Sequence, residues 1–179
     1  MIESILSYLI LAIATAAGIT IVYSTLKNGI PPLPTAPRAK RMMLQVLDEY
    51  KPSGRIMELG SGWGTLAIAV ARAFPACRIT GYENAITPFL FSKCIQYTYR
   101  NDNLRLHYGD FFTVPLGQVD IVVCYLCGEV MPTLRTKLER ELKPGAIVIT
   151  NTFAVPGWEA QQIDQVDDFF RTKIYVYVR

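Results

Sequence analysis

The sequence predicts an α/β fold in which a mostly parallel seven-stranded sheet ends in an antiparallel hairpin and follows an apolar N-terminal helix. Three observations support this fold class. Short apolar segments alternate with stretches of helical periodicity from Lys51 onward, which is typical of a parallel sheet with helices on both faces. Only Asp167 to Arg171 separate the last two strand-like segments, and so short a connection favours a hairpin. Residues 5–26 carry no charge, which indicates the apolar N-terminal helix.

The length and composition fit one domain of ordinary size. The chain has 179 residues, of which 51% are hydrophobic, and this is sufficient for a substantial core. Its net charge of +3 is too small for the dense basic patch that nucleic-acid binding usually requires, so no nucleic-acid partner is expected. The cysteines are irregularly spaced, which favours reduced thiols in a reducing compartment.

The pair Cys124 and Cys127 raises the alternative of a zinc or redox site. Zinc would need two further ligands, yet His107 is the only histidine and the other cysteines lie singly in other segments. We therefore expect no metal site and interpret the two cysteines as part of a buried strand end.

The uncharged stretch from Ile5 to Leu26 has the ~20 residues that a helix needs to cross the hydrocarbon core, so it predicts a single transmembrane helix. A cleaved signal peptide is the alternative, because Ala14-Thr-Ala16 resembles a cleavage site. The preceding residues include Glu3 but no Lys or Arg, which favours an uncleaved anchor. Basic residues follow the span, and the positive-inside tendency then places the domain in the cytoplasm. These residues are Lys27, Arg38, Lys40 and Arg41.

These observations divide the chain into a membrane anchor (1–27), a proline-rich linker (28–37) and a globular domain (38–179). The prolines of the linker cannot continue a helix and favour an extended, stiff spacer. Residues 38–49 have the apolar spacing of an amphipathic helix that leads into the domain.

Apolar segments predict the strands of the domain, and right-handed crossovers then order the parallel ones. The strands are expected at 55–59, 78–82, 104–108, 119–126, 146–150, 162–166 and 172–178. Helices are expected at 67–74, 88–99 and 131–142.

A glycine loop, Gly60-Ser-Gly-Trp-Gly64, joins the first strand to a helix. Loops at this edge of open α/β sheets bind ligands, and glycine permits both positive φ and a close approach of the backbone. A dinucleotide fingerprint would place its third glycine at position 65, where this chain has Thr65, and a phosphate loop would end in Gly-Lys-Ser or Gly-Lys-Thr. The sequence of the loop therefore argues against both a dinucleotide fingerprint and a phosphate loop. We expect Gly60, Ser61, Gly62 and Gly64 to contact a different cofactor.

Carboxylates end three successive strands, with the glycine loop between the first two. Glu58 can accept a hydrogen bond from the ammonium of a methionine moiety or hold the loop. Glu83 can accept from both ribose hydroxyls, as the corresponding acid does in nucleotide-binding folds. Asp110 can accept from an adenine amino group while Phe111 packs on the ring. Together they predict S-adenosylmethionine as the cofactor, in a site that also includes Asn84.

These residues resemble class I S-adenosylmethionine-dependent methyltransferases, whose Rossmann-like parallel sheet ends in an antiparallel hairpin. More specifically, the chain is similar to the single-span, membrane-anchored protein-lysine methyltransferases that act in mitochondria on the ATP synthase c subunit and the adenine nucleotide translocase. The resemblance covers nearly the whole chain. Its segments are the anchor, the linker, 58–64, 81–83, 152–158 and 172–177.

Two departures from that family indicate a distant, prokaryotic relative. Glu58 stands where the family usually has Asp, and the segment after Glu83 reads Asn-Ala-Ile-Thr-Pro rather than Leu-Asn-Pro. The resemblance implies N-methylation of a lysine on a membrane-associated protein, but it does not identify that protein.

Methyl transfer from a sulfonium is an in-line displacement, so the enzyme mainly aligns the acceptor and excludes water. A desolvated, aromatic pocket lowers the pKa of a lysine amine and attracts a methylated ammonium. Tyr125, Phe153 and Trp158 are the expected lining, although packing of the terminal hairpin is the alternative for the last two. His107 is interpreted as a structural residue rather than a base.

Two other functions remain open from the sequence. One is a methyltransferase that acts on a lipid, a quinone or another small membrane molecule. The other is a non-catalytic, membrane-tethered nucleotide-binding module.

Overall fold

A helix of 27 residues, α1 (Ile2–Asn28), opens the computed structural model, which describes residues 2–29, 31–99 and 102–179. By length and composition, α1 is a candidate membrane span. Met1 of the predicted anchor and Ile30 of the predicted linker lie outside the described residues. Residues 31–36 have no regular structure and lead into the domain. The helices of the domain are α2 (Pro37–Glu49), α3 (Thr65–Ala73), α4 (Ile86–Tyr99) and α5 (Met131–Glu141).

The described strands form one sheet of seven, in the order β3-β2-β1-β4-β5-β7-β6. They are β1 (Arg55–Leu59), β2 (Arg78–Glu83), β3 (Leu104–Tyr108), β4 (Ile121–Cys124), β5 (Ile147–Asn151), β6 (Gln162–Gln165) and β7 (Lys173–Val178). The first five are parallel, whereas β7 lies antiparallel between β5 and β6. The predicted parallel sheet with a closing antiparallel hairpin is confirmed.

The fourth strand is shorter at both ends than the sequence predicts. Val119 is buried but lies in a turn, where its amide donates to the carbonyl of Leu116 at 3.0 Å. After Cys124 the chain leaves the sheet, so Tyr125 belongs to a loop. The predicted strand is too long because the apolar residues on either side of β4 are buried without forming hydrogen bonds to the neighbouring strands of the described chain.

The sheet separates two apolar clusters. On one face, α3 packs against β2, and α2 packs against α3, β5 and β7. Met43, Leu66 and Ile79 belong to the buried cluster on this face. On the other face, α5 contributes the buried residues Leu134 and Leu138. The connection from β3 to β4 contains a 3₁₀ turn over residues 111–113 instead of an α-helix. This arrangement brings the carboxyl ends of the parallel strands to one edge of the sheet.

Candidate active site

The glycine loop leaves β1 at the carboxyl edge and is joined to the neighbouring strand. The amide of Ser61 donates to the carbonyl of Tyr82 in β2 at 2.8 Å. The loop then turns into α3, and the amide of Gly64 donates back to the carbonyl of Ser61 at 2.8 Å. The backbone of the loop is therefore held in one conformation at the edge where α/β sheets bind ligands.

Two glycines of the loop are needed for different reasons. Gly64 has a φ of +73°, and a Cβ at this position would lie 2.7 Å from the Cβ of Ser92 in α4. Gly64 therefore permits α3 and α4 to approach each other. Gly62 has a φ of +51°, and no heavy atom of the described residues lies within 4 Å of where its Cβ would be. Its backbone faces open space, as expected of a loop that receives a ligand.

Glu83 connects the end of β2 to the glycine loop. Its Oε2 accepts from the amide of Gly62 at 2.6 Å, and its Oε1 accepts from the amide of Ala85 at 2.7 Å. The side chain is 7% exposed, and this burial raises the pKa of the carboxyl although the amides lower it. Each carboxylate oxygen has two acceptor positions, so capacity remains for hydroxyl groups of a ligand.

Glu58 is a buried carboxylate that is only partly hydrogen-bonded. It is 3% exposed, and among the described residues its Oε2 has no hydrogen-bond partner. Burial raises the pKa of the Glu58 carboxyl well above its ordinary value. A hydrogen bond from the amide of Ala67 lowers this pKa, and the charge of Glu83 raises it further. The buried hydroxyl of Ser61 likewise lacks a partner within the described chain. Unpaired buried acceptors are costly, so a cationic or hydroxyl-bearing ligand group beside them would be stabilised.

The third predicted acid, Asp110, follows β3 at the same edge and is exposed. Its Oδ1 accepts from the amide of Phe112 at 2.9 Å and caps the 3₁₀ turn. Phe111 turns inward, is 8% exposed and belongs to the apolar cluster under α5. Asp110 therefore presents its carboxylate to solvent while Phe111 anchors the turn.

The aromatic candidates for the acceptor pocket lie on the loops after β4 and β5. Tyr125 is half-buried directly after β4, and Phe153 is 38% exposed after β5. The ring of Phe153 packs on the β4–α5 loop, where a Cβ at Gly128 would lie 3.2 Å from it. Thr152 has a φ of +71°, which is rare for a non-glycine residue and typical of functional loops.

Trp158 lies against the terminal hairpin. Its ring meets that of Tyr177 edge-on with centroids 5.7 Å apart, and its Nε1 donates to Glu139 Oε1 of α5 at 2.9 Å. These contacts join the segment after β5 to both β7 and α5. Of the two roles that the sequence leaves open for Trp158, they favour packing.

Three residues that sequence reasoning did not select also meet at this edge. The indole of Trp63, in the glycine loop, donates to the carbonyl of Pro32 at 2.6 Å. Asn28, the last residue of α1, exchanges two side-chain hydrogen bonds of 2.8 and 3.1 Å with Asn84. Linear spacing carries no signal for such contacts, because they join segments that are distant along the chain. The C-terminal end of α1 and the segment that follows it thus touch two of the loops that form the candidate site.

The residues at this edge fit S-adenosylmethionine. Its ammonium matches the unpartnered acceptor of Glu58, its ribose hydroxyls match Glu83, and the open backbone at Gly62 leaves room beside both. The chemistry of the donor set thus agrees with the predicted cofactor.

Comparisons with known proteins agree with this assignment. Residues 58–162 match the family model of the ANTKMT methyltransferase domain. A protein-lysine N-methyltransferase of Saccharolobus islandicus is 28% identical over 153 residues, which are 83% of this chain and 93% of that protein. The lysine N-methyltransferase of the ATP synthase c subunit from Rattus norvegicus is 32% identical over 136 residues, which are 74% of this chain and 60% of the rat protein.

Among solved structures, an RNA methyltransferase from Salinibacter ruber in complex with S-adenosyl-L-homocysteine superimposes with a TM-score of 0.70 and 26% identity. The match covers 82% of this chain and 93% of that one. The class I methyltransferase fold expected from the sequence is therefore confirmed, and the chain spans much more of its Saccharolobus relative than of the rat enzyme.

Proposed function

The chain belongs to the ANTKMT methyltransferase family, and from this membership we propose that it transfers the methyl group of S-adenosylmethionine to a lysine of a membrane-associated protein. Membership makes it an S-adenosylmethionine-dependent methyltransferase. The observation that supports the lysine assignment is the similarity to the lysine N-methyltransferases of Saccharolobus islandicus and Rattus norvegicus. The family match over residues 58–162 contains the glycine loop, the three acids and the segment from Phe153 to Trp158.

In this proposal the three acids and the glycine loop hold the cofactor. Glu58 accepts from its ammonium, Glu83 from its ribose hydroxyls and Asp110 from its adenine amino group. Phe111, which the sequence predicts to pack on the adenine ring, also supports the turn that carries Asp110. When bound, the cofactor supplies an electrophilic methyl group on a sulfonium. The protein then needs to orient the acceptor in line with that methyl group and exclude water.

The acceptor amine enters between the loops that follow β4 and β5. Tyr125 and Phe153 form an apolar wall there, and desolvation by such a wall favours the neutral, nucleophilic form of a lysine. The same aromatic faces attract the methylated ammonium product. Trp158 supports this wall from the side of the hairpin, through Tyr177 and Glu139.

The apolar helix α1 supports the membrane part of the proposal. Residues 1–27 serve as a single-pass anchor, residues 28–37 as the linker, and the methyltransferase domain at 38–179 faces the cytoplasm. An enzyme held in this way encounters acceptors at or near the bilayer surface.

The test supplies the full-length protein in lipid vesicles with radiolabelled S-adenosylmethionine and membranes from cells that lack its gene. After the reaction, the protein, lipid and RNA fractions are separated, and mass spectrometry identifies the labelled group. We expect label on a lysine in the protein fraction. Label confined to the lipid extract would favour a small membrane acceptor, and label confined to RNA would contradict the lysine assignment.

Calorimetry tests the cofactor assignment independently of the acceptor. The full chain in detergent micelles should bind S-adenosylmethionine and S-adenosylhomocysteine but not NAD. Binding of neither methionine-derived nucleoside would contradict the cofactor assignment.

A further inference from the structure

One side of α1 lies against the domain over about three helical turns. Its less exposed residues recur at helical spacing and form one face, namely Ala17, Thr20, Ile21, Ser24, Thr25 and Asn28. Oγ1 of Thr20 lies 2.5 Å from Oγ1 of Thr87 in the first turn of α4, and Ser24 is 5% exposed. The C-terminal part of α1 is therefore fixed beside the start of α4.

This contact sets the depth of α4 in the bilayer, given the membrane span of the proposed function. A helix needs ~20 residues to cross the hydrocarbon core, which is nearly the whole uncharged stretch from Ile5 to Leu26. Thr20 precedes Leu26 by six residues, or about 9 Å of helix. The first turn of α4 lies beside Thr20, so it reaches the boundary between acyl chains and headgroups.

The surface that α4 presents at this depth is apolar. Ile86, Leu90 and Phe91 are 44%, 56% and 49% exposed, and their spacing places them on one side of the helix. The first turn of α4 contains no acidic residue. The exposed Lys93 follows, and its flexible side chain can reach lipid phosphates while the apolar residues remain in the boundary.

We propose that the N-terminal half of α4, through Ile86, Leu90 and Phe91, is a second membrane-contact surface that lies in the lipid boundary beside the anchor. Lipid is its occupant rather than a protein, because α1 fixes these three side chains at bilayer depth. The ring of Phe91 meets Trp63 of the glycine loop edge-on, with centroids 5.2 Å apart. The candidate site therefore lies at the membrane surface, and the acceptor lysine is presented from that surface.

The test measures the depth of single positions in vesicles of phosphatidylcholine and phosphatidylglycerol. Full-length protein carrying Cys94→Ser is labelled with an environment-sensitive fluorophore at one introduced cysteine, since the three remaining native cysteines are buried. The positions are Leu90→Cys on α4, Ile13→Cys in the anchor, and Ser53→Cys as a matched exposed control at the amino edge of the sheet. Quenching by lipids that carry a nitroxide reports contact with the bilayer.

We expect several-fold stronger quenching at position 90 than at position 53, and strong quenching at position 13. Equal quenching at positions 90 and 53, with position 13 strongly quenched, would overturn the second contact while leaving the anchor intact. Absence of quenching at position 13 would instead overturn the membrane span of the proposed function, and this inference with it. Calorimetry with S-adenosylmethionine on each labelled protein verifies that it is folded.

Discussion

At the scale of single residues, Glu58 and Glu83 are buried acids whose ionisation lowers the stability of the folded, ligand-free protein. The pKa of each carboxyl is raised in the folded chain, first by burial. The folded state therefore retains protons over a pH range in which the unfolded state has lost them. Stability of the ligand-free protein then falls as pH rises from about 4.3, the ordinary Glu value, through the raised values.

Removing the charge of Glu58 should raise stability and weaken cofactor binding. We expect Glu58→Gln to increase the melting temperature of the ligand-free protein at neutral pH by a few degrees and to flatten its dependence on pH above about 5. The affinity for S-adenosylmethionine should fall roughly 10- to 100-fold, because a charge-assisted hydrogen bond to the ammonium is lost. Calorimetry and thermal unfolding measure both effects, and unchanged affinity would show that Glu58 only supports the loop.

Loss of Glu83 should abolish cofactor binding and leave the fold intact. Its carboxylate fixes the amides of Gly62 and Ala85, and it is the proposed acceptor for the ribose hydroxyls. For Glu83→Ala we expect no calorimetric binding of S-adenosylmethionine and a circular dichroism spectrum like that of the unaltered protein. Asp48→Ala, at an exposed acid on α2, is the matched control and should bind normally. Unchanged affinity in Glu83→Ala would mean that the ribose contact is wrongly assigned.

At the scale of elements, Gly62 of the glycine loop has a control in Gly145, which lies between α5 and β5 and also has a positive φ. Gly62 has a φ of +51° and Gly145 a φ of +82°, and at neither position does a heavy atom of the described chain lie within 4 Å of where a Cβ would be. Each Gly→Ala change should therefore cost about 1 kcal/mol or somewhat more in stability through the strained backbone. Only Gly62→Ala should also weaken S-adenosylmethionine binding, by at least tenfold. Equal affinities of the two variants would contradict a cofactor contact at Gly62.

In the segment after β5, Phe153 is proposed to face the acceptor, whereas Trp158 packs against the terminal hairpin. Phe153→Ala should lower kcat several-fold with little change in cofactor affinity, because the side chain is proposed to face the acceptor. Trp158→Ala should instead lower the melting temperature, since it removes buried contacts with Tyr177 and the bond to Glu139. Steady-state kinetics and thermal unfolding distinguish the two. A kcat effect only in Trp158→Ala would reverse the assignment.

Much of the sheet and part of the site could be predicted from the sequence, for identifiable reasons. Strand–helix alternation and the short link between the last two strands correctly predicted the parallel sheet and its hairpin. The positions of Glu58, Gly62 and Glu83 follow from strand ends, which parallel strands bring to one edge. The end of β4 was less predictable, because Val119 is buried in a turn and therefore has the same apolar signal as a strand residue.

At the scale of the whole molecule, the sequence predicts an anchor but not where it contacts the domain. Composition identifies a helix that can span a bilayer, and prolines indicate a linker. The contacts of Trp63 with Pro32 and of Asn28 with Asn84 depend on the tertiary arrangement, since their partners are far apart in sequence. They place the C-terminal end of α1 and the segment that follows it beside the candidate site.

The contact between the end of α1 and the candidate site should be measurable as energetic coupling. Asn28 and Asn84 exchange two hydrogen bonds, and Asn84 directly follows Glu83. Asn28→Ala removes both bonds, each with a net contribution of about 0.5–1.5 kcal/mol, so we expect it to weaken S-adenosylmethionine binding by roughly 5- to 150-fold, because the β2–α4 loop loses its support. Asn84→Ala should weaken binding at least as much, and the double variant should be little worse than Asn84→Ala. Ser7→Ala, on an exposed part of the same helix, is the control and should leave the affinity unchanged. Losses that simply add in the double variant would show that the two asparagines act independently and that α1 does not position the β2–α4 loop.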